Sequence, residues 1–153
     1  MNNLTIRRAQ KKDLPVIVSF NQKMAIETEN KQLDETLLRR GVANLFDQPQ
    51  YGFYCVAEFE ESIVGQLMIT YEWSDWRNGL FWWIQSVFIH PDFRGMGVYR
   101  KIYEFILTES SKHPVCGIRL YVDKDNVNAK ITYQKCGMAV SHYDMFETEF
   151  VRG

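Results

Sequence analysis

Apolar and polar positions change period along this chain, and each change predicts a new element. Residues 4–9 alternate with the two-residue period of a strand. Asp13 stands where a helix N-cap belongs and Pro15 falls in the first turn, while Val16, Ile17, Phe20 and Met24 follow at helical spacing. The apolar signal fades at 27–31, which reads as a loop. A second helix is expected from near Asp34, burying Leu37, Leu38, Val42, Leu45 and Phe46 and closed by Pro49.

From Tyr51 the period becomes two again. Strands are predicted over 53–58, 63–73 and 80–89, joined by turns at 60–62 and 74–79. Asn78-Gly79 is a strong hairpin signal, so these strands run antiparallel in succession. Gly65, inside the second of them, marks a bulge or a close backbone approach. After a short loop, Val98, Ile102, Phe105 and Ile106 form one helical stripe, stopped by His113-Pro114. Residues 118–122 alternate and read as a strand parallel to the one ending at Ile89, because it follows a strand–helix segment. A short helix from Asp125-Asn126 to Lys135 is ended by Gly137, and 138–150 reads as a last strand, broken near Tyr143. The predicted order is β-α-α-β-β-β-α-β-α-β, an α/β fold with one mixed, mostly antiparallel sheet and helices on both faces.

Composition adds bounds. The 153 residues suit a single domain, 1–153, with 46% apolar and 24% charged residues. A net charge of -1 gives no reason to expect nucleic acid or an anionic membrane as partner. Cys55, Cys116 and Cys136 are an odd number at wide spacing, with no zinc pattern and no disulfide framework, so no metal is expected and the compartment reads as cytoplasmic. No apolar run reaches the roughly 18 residues of a membrane span.

The chemistry concentrates at Arg94-Gly95-Met96-Gly97, between an apolar strand and a helix. Glycines there let a backbone approach a phosphate, the helix N-terminus favours an anion, and Arg94 and Arg100 can add charge. A dinucleotide-type loop is excluded, since Arg100 falls where the third glycine of GxGxxG would be and antiparallel strands precede the loop.

That loop, together with Asn126-x-x-Ala129-x-x-x-Tyr133-x-x-x-Gly137-Met138, resembles the GNAT superfamily of acetyl-coenzyme-A-dependent N-acetyltransferases. The family's loop pattern falls on Arg94, Gly95, Met96, Gly97, Val98 and Tyr99, and Met138 replaces the usual Phe. Tyr99 stands where Gly or Ala is usual; its side chain either narrows the loop or points away from it. The resemblance implies acetyl-coenzyme A as co-substrate, held by this loop with Arg100. It further implies backbone groups of Val87, Phe88 and Ile89 as donors to the thioester carbonyl and as partners of the pantetheine arm in a splayed sheet, Tyr133 as the acid for the departing thiolate, and Asn126 as a helix cap or pantetheine contact. Glu29 and Glu27 are the first candidates for the general base.

For the acceptor, Glu72 flanks the turn between two strands, Gln85 can orient a substrate or a water, and one of Trp82 and Trp83 can offer an aromatic face to a cationic amine. Adjacent strand residues point to opposite faces, so the two tryptophans cannot share one side. The expected activity is acetylation of a primary amine of a small molecule by direct attack. The alternatives are protein or peptide acetylation, and an acyl-coenzyme-A sensor without catalysis. The aromatics and the last strands allow a homodimer.

Overall fold

The computed structural model describes residues 2–151, so Met1, Arg152 and Gly153 of the expected domain lie outside the described residues. The chain divides into two compact units, Met1–Tyr121 and Val122–Gly153.

The first unit is built on a five-stranded sheet in the order β1-β2-β3-β4-β5, with β1 Leu4–Arg8, β2 Gly52–Phe59, β3 Ser62–Ser74, β4 Gly79–Ile89 and β5 Val115–Arg119. The first four strands pair antiparallel and β5 joins β4 in parallel. Two helices, α1 Leu14–Glu29 and α2 Glu35–Asp47, cover one face, and α3 Val98–Ser110 covers the other. The two faces separate at neighbouring residues of β3. Gln66 bonds Asn21 of α1. A Cβ at Gly65 would instead meet Ile89 at 2.9 Å, Val98 at 3.2 Å and Ile102 at 3.5 Å. Gly65 therefore provides the close approach expected of it, and a register shift falls next to it opposite Ala57 and Glu58.

Ile17, Val18, Val42, Leu45 and Tyr54 form a buried cluster between α1, α2 and the sheet. On the opposite face Ile102 and Ile106 of α3 are fully buried, as are Cys55, Leu67 and Ile69. Burial pushes the Cys55 thiol up to about 12, as an inert core residue requires. Leu37, expected in the core, is exposed, because only one stripe of α2 meets the sheet.

The two helix starts are capped differently. Asp34 accepts the Leu37 N–H at 3.0 Å as a conventional N-cap. Asp13 instead closes the preceding 3-10 turn, accepting the Gln10 N–H at 2.7 Å and the Arg7 guanidinium at 2.8 Å. Burial alone would raise the Asp13 carboxyl, but these bonds outweigh it and hold the group below its ordinary value.

Two elements differ in their bounds from the sequence pattern. Residues 27–29 continue α1, because Glu and Thr sustain a helix after the apolar stripe has ended. Asn30 closes that helix at φ 48°, its N–H bonded to Ala25 and Ile26 carbonyls. The parallel strand is Val115–Arg119 rather than 118–122. Its placement is set by the partner strand: Phe81 pairs with Gly117, where any Cβ would stand 2.5 Å from the Phe81 ring.

The second unit contains α4, Val127–Lys135. Asn126 caps it by accepting the Ala129 N–H at 3.1 Å, and Gly137 follows it at φ +94° with its N–H on Gln134, as the sequence predicts. The last strand expected over 138–150 is not formed: those described residues belong to no ladder, and Phe146 and Phe150 are exposed. Alternation marks residues that suit a strand, but a strand exists only with a partner.

Candidate active site

The loop after β4 turns through a short 3-10 segment, Pro91–Phe93, into Arg94–Gly97 and then α3. Gly95 and Gly97 adopt φ +76° and +79°, a left-handed conformation that side chains disfavour, and a Cβ at either would meet nothing within 4 Å. The loop is thus shaped by glycine and faces open space at the N-terminus of a helix, whose first N–H groups lack intrahelical acceptors. This geometry fits the phosphates of a coenzyme. Tyr99 leaves the loop clear: it is buried and its ring stacks on Tyr103, 6.1 Å away, one turn along α3. Val98 is buried beside it, while Met96 and Arg100 are exposed.

Arg94 turns back toward the fold. Its Nε donates to the Ile89 carbonyl at 2.8 Å and its Nη2 to both oxygens of Glu27, at 3.1 and 2.9 Å. The guanidinium also lies over the Phe88 ring, 5.3 Å from its centroid, and Phe88 packs on Phe20 of α1 at 4.7 Å. Glu27 is therefore in the last turn of α1, not on a loop, and serves as the anchor of Arg94. Both groups are near half exposed, so the pair contributes at most about 1 kcal/mol to stability. Its larger effect is to tie α1 to the loop. Glu29 is exposed in the same turn.

Beside the loop, the sheet opens. The β4–β5 ladder stops at Trp83 and Arg119, so 84–89 of β4 have no β5 partner among the described residues. In the same stretch β4 is bulged on its other side. Gln66 pairs with Phe88 and Met68 with Gln85, so Ser86 and Val87 together oppose Leu67 alone. Ser86 takes φ +54°, a conformation that costs a non-glycine residue on the order of 1–2 kcal/mol.

The bulge keeps two side-chain sets on constant faces. Trp82 and Ile84 lie on the α3 side with Ile89, and Trp83 and Gln85 lie on the α1 side with Phe88. Trp82 is buried among Phe53, Tyr71 and His113, which corrects its expected place in an acceptor site. Trp83 is the tryptophan on the other face. Its Nε1 donates to Glu72 at 2.7 Å, and Glu72 also accepts from Arg119 at 3.3 Å. Arg119 stacks over Phe81 at 3.6 Å. Gln85 donates to the Thr70 hydroxyl at 2.7 Å, and Tyr121 stands 6.2 Å from the Trp83 ring. The result is a half-exposed carboxylate framed by aromatic rings, with Arg119 bonded to both its oxygens at 3.3 Å, so a cationic amine here would share Glu72 with that guanidinium.

In the second unit, Tyr133 lies on α4, half-buried, and burial raises its phenol above the ordinary value. Among the described residues, no group of three or more His, Cys, Asp or Glu side chains is placed to hold a metal ion. No helix among them is long and apolar enough to cross a membrane. Sequence reasoning missed Asn21, Gln66, Ser86 and Arg119. The signal for Gln66 was present, as a polar residue between Val64 and Leu67 in an apolar strand.

Known proteins share this fold. A possible acetyltransferase from Clostridium difficile 630 superimposes with a TM-score of 0.90 at 41% identity, covering 97% of this chain and 99% of that one. A predicted acetyltransferase from Clostridium acetobutylicum, solved with acetyl-CoA, shares the fold with a TM-score of 0.77 at 18% identity, covering 95% and 96%. A streptothricin acetyltransferase of Escherichia coli is 28% identical over 93 residues, 60% of this chain and 51% of that protein, so the chain matches about half its length. The acetyltransferase (GNAT) family model matches residues 18–138, running through both compact units. With an opened sheet, a glycine loop at a helix N-terminus and that match, the chain belongs to the acetyltransferase (GNAT) family.

Proposed function

We propose that the protein transfers the acetyl group of acetyl-coenzyme A to a primary amine of a small molecule by direct attack. The observation that carries this reading is the glycine loop at 94–97, open above both glycines, next to the unpaired edge of β4. Backbone N–H groups from Gly95 to Arg100 take the pyrophosphate, and Val87, Phe88 and Ile89 offer peptide groups to the pantetheine arm. When bound, the coenzyme supplies a thioester activated for attack by an amine.

The acceptor's ammonium shares Glu72 with Arg119, with the Trp83 ring beside it and Gln85 orienting the amine or a water. Glu29 receives the proton that frees the amine for attack. Glu27 is the weaker base because Arg94 occupies both its oxygens. Tyr133, assigned from the family motif, gives its proton to the departing sulfur. The similarity to a streptothricin acetyltransferase supports a small-molecule acceptor.

The test follows thiol release from acetyl-coenzyme A across a panel of small amines, for the wild type and Glu72→Ala. The wild type should acetylate at least one amine. In the variant KM for that amine should rise about 10-fold or more, with coenzyme affinity unchanged. Coenzyme binding without acetylation of any amine would support a sensor instead. Acetylation confined to peptides would move the acceptor class.

A further inference from the structure

Three buried polar side chains from three elements meet beneath the β4 bulge. Gln66 of β3 is fully buried, and Asn21 of α1 and Tyr54 of β2 are each 5% exposed. The Gln66 amide nitrogen donates twice, to Asn21 Oδ1 at 3.1 Å and to the Ser86 carbonyl at 3.0 Å. Because a backbone carbonyl can only accept, the Gln66 amide must present its NH2 to it, which fixes the orientation of the group. Burial pushes the Tyr54 phenol up to about 12, with Asn21 acting on it in the opposite direction.

Packing alone does not account for glutamine here. Gln66 Oε1 is buried with no partner among the described residues, a cost that Leu or Met at the same site would avoid. What the amide provides is a hold on Ser86. Ser86 is the only described non-glycine residue with positive φ inside a strand; Asn30, Glu60, Glu61 and Asn78 lie in a helix cap or in turns.

The consequence reaches the next peptide N–H. In a trans peptide the carbonyl and the following N–H point in opposite directions within one plane. Holding the Ser86 carbonyl on Gln66 therefore fixes the plane of the Ser86–Val87 peptide, and with it the direction of the Val87 N–H, in the part of β4 that has no β5 partner among the described residues. We infer that Gln66, braced by Asn21, is a positioning residue that aims the Val87 N–H at the thioester carbonyl oxygen. The inference rests on the acetyl-transfer reading above. Neither side chain touches the reacting atoms. A donor preorganised in this way acts on charge that develops in the transition state, so its loss falls on turnover rather than on coenzyme affinity.

The test compares wild type, Gln66→Met, and Gln66→Met combined with Ser86→Gly, measuring kcat by thiol release and coenzyme A affinity by calorimetry. Gln66→Met should lower kcat about 10-fold or more, with Kd changed less than about threefold. Ser86→Gly should restore part of the lost kcat, because glycine takes the positive φ without being held. A role in packing alone would give no such rescue. If Gln66→Met does not fold by circular dichroism, Asn21→Ala, which removes the brace and leaves the bond to Ser86, carries the test with a smaller expected loss of kcat. Full activity in the folded variant, or a loss that Ser86→Gly does not relieve, overturns the inference. A wild type that acetylates nothing overturns the acetyl-transfer reading beneath it.

Discussion

Gly97→Val should weaken coenzyme A binding by about 10- to 100-fold while leaving the protein folded. Gly97 holds φ +79° at the N-cap of α3, and a β-branched residue is a severe outlier in that region. The strain is on the order of 1–3 kcal/mol, and each 1.4 kcal/mol is a factor of ten in affinity. In the free protein the loop can relax, since a Cβ at this position meets no neighbour within 4 Å. Coenzyme binding requires the original turn, so the strain returns at that step, and the added methyl groups enter the space the phosphates need. Gly41 provides the control. It also faces open space, but it sits inside α2 without a positive φ, so Gly41→Ala should leave coenzyme affinity unchanged and favour the helix slightly. Calorimetric titration with coenzyme A measures both. Equal affinity in Gly97→Val and wild type would remove the loop from the binding site.

Tyr133→Phe should lower kcat about 100-fold, with coenzyme A affinity within about threefold of wild type. The substitution removes one hydroxyl and preserves the ring, so it reads what the hydroxyl contributes. Burial raises the Tyr133 phenol above its ordinary 10.0, which disfavours the phenolate and keeps the acid loaded. The sign for catalysis follows: a general acid works while protonated, so a raised phenol stays loaded through neutral pH, and any alkaline limb it causes is displaced upward from the ordinary phenol range. In Tyr133→Phe that limb should vanish. Unchanged turnover in the variant would place the proton source elsewhere.

The sheet was legible in the sequence because its signals were redundant. Antiparallel strands rich in apolar and aromatic residues, bounded by Glu60-Glu61 and Asn78-Gly79, left little freedom, and β2, β3 and β4 begin and end within a residue or two of their predicted bounds. Elements whose limits depend on a distant partner were not legible. The parallel strand settled at Val115–Arg119 because Phe81 needs Gly117 opposite it, and the terminal run 138–150 has the pattern of a strand without a ladder.

The candidate site divides in the same way. The glycines at 95 and 97 announce a turn, and their φ values agree with that reading. Nothing local announces the bulge at Ser86, since serine carries no conformational signal for positive φ. The Ser86 carbonyl is held by Gln66, one strand away in space and 20 residues away in sequence. Charge was misleading for a related reason. Arg94 looks like a phosphate ligand from its place in the loop, yet its guanidinium is bonded to Glu27 and Ile89, because an α1 longer than its apolar stripe brings Glu27 within reach.

Coenzyme held by the peptide groups of 95–100 and of the opened β4 edge can be followed residue by residue through amide NMR during titration with coenzyme A. The largest shifts should fall on the N–H signals of Gly95, Met96, Gly97, Val98, Tyr99 and Arg100, with a second set at Val87, Phe88 and Ile89. Saturable binding whose shifts lie elsewhere, or no binding at millimolar coenzyme, would contradict this placement of the coenzyme.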